Sequence, residues 1–274
     1  MDDQNKESKR QLALITGASS GMGKEYADLL GARGYDLLLV ARREEALIDL
    51  SAEIERRYHV HAFVYPLDLS KPDAPKKLIS YVDSHDLDVE VLINNAGFGH
   101  AEPYVDSSLD LQHGLFQVDM ITLADLCHEF GGRMKAKRSG MILNIASIAA
   151  YTPGPYMTTY YAAKAFVESL SQGLHTELRP YGVHVTALCP GPVNTNFFPH
   201  AGFGKGNFFN IVHMPPRTVA REGLWALRHN KTIHLPSLFA VLTVLFARIM
   251  PSIVMRGILV ALQKRSSLQQ KKKA

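Results

Sequence analysis

Ser147, Tyr160 and Lys164 are of types, and at spacings, that could move a proton. Tyr160 follows Ser147 by 13 positions, and Lys164 follows Tyr160 by four. If Tyr160 opens a helix, its i+4 partner lies on the same face, one turn along. A fixed ammonium favours the phenolate, so it lowers a phenol pKa from its reference of about 10. A Ser147 hydroxyl could hold a substrate oxygen while Tyr160 gives or takes the proton. That is acid–base chemistry for interconverting a carbonyl and an alcohol. Tyr-x-x-x-Lys also arises by chance on surface helices, so the elements around it must decide.

Those elements alternate. Leu12–Ile15, Asp36–Val40, Ala62–Tyr65, Val91–Ile93, Met141–Ile145 and Val183–Leu188 read as strands buried on both faces. Gly23–Arg33, Glu44–Arg57, Ala74–Ser84, Leu109–Lys135 and Thr159–Arg179 read as helices between them. The expectation is an α/β fold: a doubly wound, Rossmann-type parallel sheet with helices on both faces. Such sheets bind ligands at the carboxyl ends of their strands, where the strand order reverses.

The first strand runs into Thr16-Gly17-Ala18-Ser19-Ser20-Gly21-Met22-Gly23 and then a helix. Gly17 permits a tight turn, Gly21 lets backbone approach a pyrophosphate, and Gly23 allows close helix–strand packing. The helix N-terminus then offers free N–H groups to phosphate. A glycine cluster can also be a mere turn. The second strand ends at Ala41-Arg42-Arg43, where an NAD site usually carries a carboxylate. Two arginines suit a 2′-phosphate instead, so NADP(H) is the expected cofactor and NAD(H) the alternative. The same arginines could simply begin a solvated helix with Glu44 and Glu45.

Taken in order, these motifs resemble the short-chain dehydrogenase/reductase family in its single-domain form. They are Thr16-Gly17-x-x-x-Gly21-x-Gly23, Leu67-Asp68-Leu69, Asn94-Asn95-Ala96-Gly97, Ser147, Tyr160-x-x-x-Lys164 and Pro190-Gly191. They run from Thr16 to Thr195, and together they are specific for a nicotinamide cofactor but not for a substrate. The resemblance implies that Ser19, Ser20, Met22 and Leu69 join the glycines at the cofactor, and that Asp68 contacts the adenine amine. It implies that Asn95, Ala96 and Gly97 lie beneath the cofactor, with Asn94 tying neighbouring strands together. Pro190-Gly191 would turn the chain under the nicotinamide, with Val193 and Thr195 at its carboxamide. Tyr160 would be the general acid–base and Ser147 the group orienting the carbonyl. Lys164 would hold the ribose and lower the tyrosine pKa. The family's fourth catalytic position, normally asparagine, falls on Asp119, which lacks the amide donor and adds a charge if ionised. A carboxylate there could pair with Lys164 and blunt its effect on Tyr160, stay protonated, or be a harmless replacement.

Composition places the rest. At 274 residues, 46% hydrophobic and 20% charged, the chain can bury one full core. A net charge of +4, gathered toward the C-terminus, does not suggest a nucleic-acid surface. Cys127 and Cys189 read as buried thiols in a reducing compartment, and the polar residues 1–10 as a flexible tail with no secretory signal, so a cytoplasmic location is expected. Residues 11–235 are expected to form the catalytic domain. Within it, residues 192–216, with Phe197, Phe198, Phe203, Phe208, Phe209 and three glycines, read as a lid over a lipophilic substrate. His200, His213 and Met214 lack ligand spacing, and no metal is expected. Residues 236–274 read as an apolar helical extension with a basic tail.

The longest run free of charge leading into it, Thr232–Ala247, is 16 residues, short of the roughly 20 needed to span a bilayer. Two short helices docked on the core or lying at a membrane surface are expected, the basic tail favouring anionic lipid. The family's usual dimer and tetramer faces match Leu109–Lys135 and Thr159–Arg179, so a homodimer or homotetramer is expected. The leading reading is an NADP(H)-dependent oxidoreductase on a 3-oxoacyl chain, a steroid-like ketone or a long aldehyde. Its rival is a cofactor-binding sensor or scaffold with weak or no catalysis, which Asp119 alone favours. A membrane-bound structural protein would rest on Leu235–Leu262 alone.

Overall fold

A run such as Leu12-Ala13-Leu14-Ile15 has apolar side chains on both sides of the pleat, so it must be covered from both faces. The computed structural model, which describes residues 11–202 and 213–270, covers it that way. Strands β1 (Leu12–Thr16), β2 (Asp36–Ala41), β3 (Ala62–Pro66), β4 (Val89–Asn94), β5 (Gly140–Ile145), β6 (Val183–Leu188) and β7 (Ile233–His234) form one sheet. All its pairings are parallel, in the order β3-β2-β1-β4-β5-β6-β7. The order reverses between β1 and β4, which is where such sheets bind ligands.

Helices α1 (Gly21–Gly31) and α2 (Glu44–Tyr58) lie on one face. There Tyr26, Leu30, Leu47 and Ile54 pack with Ala13 and Ile15 of β1. Helix α3 (Ala74–Ser84) lies on the other, where Leu78 packs with Leu12 and Leu14. The chain after β4 passes through α4 (Leu109–Phe116) and α5 (Leu123–Lys137), and α6 (Thr158–Leu178) precedes β6. Phe130, Met134 and Val167 from α5 and α6 join the α3 side. A short α7 (Phe197–His200) is followed by α8 (Pro216–Arg228), whose Val219, Leu224 and Leu227 complete the α1 side. Last come α9 (Leu238–Ile249) and α10 (Ser252–Gln270).

The structure departs from the sequence reading in four places. The expected single helix Leu109–Lys135 is interrupted by one wide π-type turn at Gln117–Thr122. β3 is an edge strand, so its Phe63, Val64 and Tyr65 are only partly buried. Residues 192–216, read as a lid loop, contain α7 and a parallel bridge between Val193 and Met214; Phe203, Phe208 and Phe209 lie outside the described residues. Finally, α8 and β7 extend the fold beyond the elements expected. A buried Val219, Ala220, Gly223, Leu224 and Leu227 give α8 its apolar stripe behind Pro215-Pro216.

Candidate active site

Where β1 and β4 end side by side, side chains lock the strand ends together. The Thr16 hydroxyl donates to the Ile93 carbonyl (3.3 Å) and accepts from the Asn95 and Ala96 N–H groups (both 3.0 Å). The Asn95 amide returns to the Thr16 and Gly17 carbonyls. One strand over, the Asn94 amide donates to Asn144 Oδ1 (2.9 Å), and the Asn144 amide donates to Ser171 Oγ (2.9 Å). This buried chain ties β4 to β5 and α6. Asn94 was expected to tie strands together. Its partners Asn144 and Ser171 were not anticipated, although a lone asparagine inside the apolar run Met141–Ile145 is a visible signal.

The glycine turn forms a cradle that side chains would fill. Gly17 and Gly21 take positive φ values of 67° and 56°, a conformation that costs glycine little. A Cβ on Gly23 would come within 2.1 Å of the Gly17 carbonyl oxygen, so the start of α1 presses directly on the turn. Thr195 leans over this turn, its methyl 3.2 Å from where a Gly21 Cβ would be.

Beyond β2, the Arg43 guanidinium donates to the Ser19 carbonyl and hydroxyl (3.1 and 3.2 Å). Asp68 follows β3, and its carboxylate accepts from the Ser70 N–H and hydroxyl. Burial works against that carboxylate. The Ser70 hydrogen bonds, then the charges of Arg42 and Lys71, outweigh it and hold Asp68 below the usual range. Asp73, not Asp68, is the residue that opens α3. Exposed guanidinium groups beside a cradle of backbone N–H suit the phosphates and 2′-phosphate of a dinucleotide.

Ser147 follows β5 and opens a 3-10 turn at Ile148–Tyr151, its oxygen accepting from the Ala149 N–H (3.1 Å). Tyr160 and Lys164 lie in the first two turns of α6, as the i+4 spacing requires. The Lys164 Nζ sits 5.5 Å from the centre of the Tyr160 ring. It donates to the Ile145 carbonyl (3.0 Å) and lies 2.8 Å from Asp119 Oδ1. Asp119 is fully buried, and its second oxygen accepts from the Phe98 N–H (3.2 Å). The wide turn at Gln117–Thr122 is what carries Asp119 to this point.

The electrostatics differ from the expectation for Tyr160. Burial raises its pKa, and the lowering by Lys164 and by the Ser147 hydrogen bond does not fully offset it; Asp119 adds a smaller raising effect. Burial also disfavours the Lys164 ammonium, but Asp119 and then Tyr160 outweigh this and hold its pKa above the ordinary value. Lys164 is thus a firmly held cation, and its pull on Tyr160 is shared with a carboxylate.

One side of the site is apolar. The Phe197 ring lies 5.2 Å from that of Tyr160, and Phe198 packs edge-on to Phe197 at 5.4 Å. Met157, Ala101 and Tyr161 join them. The Ala101 N–H bonds to the Ala201 carbonyl (2.9 Å), clamping the chain after β4 to the end of α7. Tyr161 packs on Gly154, where a Cβ would fall 2.2 Å from its ring. Pro190-Gly191 follows β6, the Pro190 carbonyl accepting from the Ile148 N–H (3.0 Å). Both cysteines are buried, with thiols pushed up to about 12 by burial. Among the described residues no group of His, Cys, Asp and Glu could hold a metal ion.

A family model described as short chain dehydrogenase matches residues 11–202. The chain is 35% identical over 182 residues to a very-long-chain 3-oxoacyl-CoA reductase of Phaeosphaeria nodorum, covering 64% of this chain and 53% of that protein. It therefore spans about half the length of the curated relatives it matches. Among solved structures it resembles a short-chain dehydrogenase from Sphingobium yanoikuyae in complex with NADPH, with a TM-score of 0.77 and 31% identity over 83% of this chain and 88% of that one. It also resembles the bulky-bulky ketone specific alcohol dehydrogenase from Comamonas testosteroni, with a TM-score of 0.73 and 28% identity over 83% and 86% of the two chains.

Proposed function

This chain belongs to the short-chain dehydrogenase family, and on that premise we propose that it is an NADP(H)-dependent oxidoreductase. It interconverts a carbonyl and a secondary alcohol on a lipophilic substrate, with a 3-oxoacyl chain as the leading class. The observation that carries this reading is the gathering of Ser147, Tyr160 and a buried Lys164 at the end of β5, beside an apolar wall led by Phe197. The glycine cradle, Arg42 and Arg43 fit a phosphorylated dinucleotide, and the NADPH complex of the Sphingobium relative supports the same cofactor. When bound, the reduced nicotinamide supplies the hydride.

The protein supplies orientation and a proton. The Ser147 hydroxyl donates a hydrogen bond to the carbonyl oxygen and fixes its place. Tyr160 then gives its hydroxyl proton to that oxygen, forming the alcohol and leaving a phenolate. Lys164 favours the phenolate, and Asp119 and the Ile145 carbonyl hold Lys164 in position. Because the Tyr160 pKa is raised, the phenol is protonated throughout the neutral range, as reduction requires. Phe197, Phe198 and Met157 exclude water and receive the apolar part of the substrate.

The test is loss of NADPH absorbance with a panel of carbonyl compounds: long-chain 3-oxoacyl thioesters, bulky ketones, long aldehydes, and short polar ketones as the contrast. Turnover that rises with chain length or bulk is expected, and turnover confined to short polar ketones would contradict the lipophilic assignment. The Asp119–Lys164 pair at 2.8 Å favours a second reading, a cofactor-binding sensor with weak catalysis. Tight NADPH binding with no turnover on any member of the panel would support it.

A further inference from the structure

Among the described residues, most of the large hydrophobic side chains left exposed lie in one stretch of the chain, residues 238–258. In α9, Leu238, Leu242, Leu245 and Ile249 recur at intervals of four, three and four, which is one stripe along a helix. Leu238 and Ile249 are 73% and 79% exposed, at the two ends of that stripe. The opposite side of α9 is also apolar and is used. Ala240 and Val244 are buried, and the Phe239 ring lies 3.4 Å from where a Gly191 Cβ would be. α10 repeats the arrangement, with Met255 and Leu259 inward and Ile253, Val254 and Ile258 outward. A helix anchored to the core by one apolar face does not need a second one for folding.

The charge carried by this stretch of the chain has a single sign. Residues 223–274 contain nine Lys and Arg and no Asp or Glu, so the preceding residues are net acidic. Exposed Arg248 and Arg256 stand beside the apolar side chains of α9 and α10, and Lys264, Arg265 and Lys271 to Lys273 follow in sequence. An interface with a second copy would bring those cations against their own like, and interface cores are depleted of charge. Anionic headgroups would neutralise them while acyl chains receive the leucines. No helix among the described residues is long and apolar enough to cross a membrane.

We propose that the outer face of α9 and α10 docks this protein on an anionic lipid surface, as a peripheral attachment. The docked helix is a neighbour of the site. α9 packs against the turn Ile148–Tyr151 that directly follows Ser147, and the Arg248 guanidinium lies 5.3 Å from the centre of the Tyr151 ring. The inference does not depend on the substrate, because docking is measured without turnover.

The experiment is co-sedimentation of the full chain with vesicles of phosphatidylcholine alone and of phosphatidylcholine mixed with phosphatidylserine. Binding is expected to the mixed vesicles, and to be released by high salt. Leu242→Glu with Leu245→Glu should weaken it by at least ~10-fold, with thermal midpoint and NADPH binding retained as the control for folding. Replacing Lys271, Lys272 and Lys273 with Ala, with the same folding controls, should weaken binding to the mixed vesicles only. Absence of binding, equal binding by all variants, or resistance to high salt and alkaline carbonate would each overturn the proposal. So would self-association that the leucine variants abolish in a protein that ignores vesicles, since the occupant is then a second copy.

Discussion

Asp119 Oδ1 lies 2.8 Å from Lys164 Nζ, and both groups are buried. An ammonium so placed cannot be treated as a free positive charge beside Tyr160. Its attraction is divided between the Tyr160 phenol and the Asp119 carboxylate. Removing one partner of a buried pair strands the other, so each group here is a positioning element for its neighbour as well as a charge.

Tyr160→Phe should leave NADPH binding nearly intact and lower turnover by at least ~10²-fold, the lower range for a general acid. Direction matters as well. Reduction needs the protonated phenol, which the raised pKa maintains through neutral pH, whereas oxidation needs the phenolate. Alcohol oxidation should therefore be slow at neutral pH and rise into the alkaline range. Steady-state rates in both directions check this, and Phe-variant turnover within a factor of a few of the unmodified enzyme would remove Tyr160 from its role.

Arg42 and Arg43 should separate on substitution. Arg43 is committed to the Ser19 carbonyl and hydroxyl, so Arg43→Ala loosens the glycine turn and should weaken NADPH and NADH alike. Arg42 is exposed and near Asp68, so Arg42→Ala should cost NADPH roughly 1.5–3 kcal/mol, the value of a charged hydrogen bond, with little change for NADH. Fluorescence titration of both cofactors against the three proteins decides. Tighter NADH than NADPH binding by the unmodified protein would contradict the assignment.

Asp28 of α1 accepts hydrogen bonds from Tyr58 (2.6 Å) and Arg57 (3.1 Å) and from Arg217 of α8, joining three elements on one face. Burial works to raise its pKa, but Tyr58, Arg217 and then Arg57 outweigh burial and depress it. A depressed carboxylate stabilises above its unfolded pKa, and that contribution is lost as pH falls through the folded value. Asp28→Asn should cost about 1–3 kcal/mol at neutral pH, and the difference should close as the buffer becomes acidic. Thermal midpoints of both proteins across the acid range measure it, and a gap that widens on acidification contradicts the account.

Much of this architecture is written locally. The i+4 spacing of Tyr160 and Lys164 places them together once a helix forms, and the apolar runs mark β1 to β6 to within a residue or two. What the sequence conceals depends on distant contacts. The direction of the Tyr160 pKa follows from the packing around it, and its tilted ring contact with Phe197 joins residues 37 positions apart. β7 is two residues long and is defined only by pairing with β6. The turn at Gln117–Thr122 has no proline or glycine to announce it, yet it decides where Asp119 points.

Asp119→Asn isolates the effect of that carboxylate on the proton donor. The substitution keeps the shape and an acceptor oxygen for the Phe98 N–H, and supplies an amide donor in place of the charge. Asp119 raises the pKa of Tyr160 and of Lys164 alike, so losing its charge should lower both. In oxidation the rate rises with pH as the phenol ionises, and in reduction it falls over the same limb; the variant should carry both limbs to lower pH. A purely structural role for Asp119 would change the height of the profile and leave its midpoint in place. The measurement is kcat/KM against pH in both directions for the two proteins. A limb that moves upward, or a variant that binds NADPH normally but has no activity at any pH, would show that the carboxylate serves the proton transfer and does not oppose it.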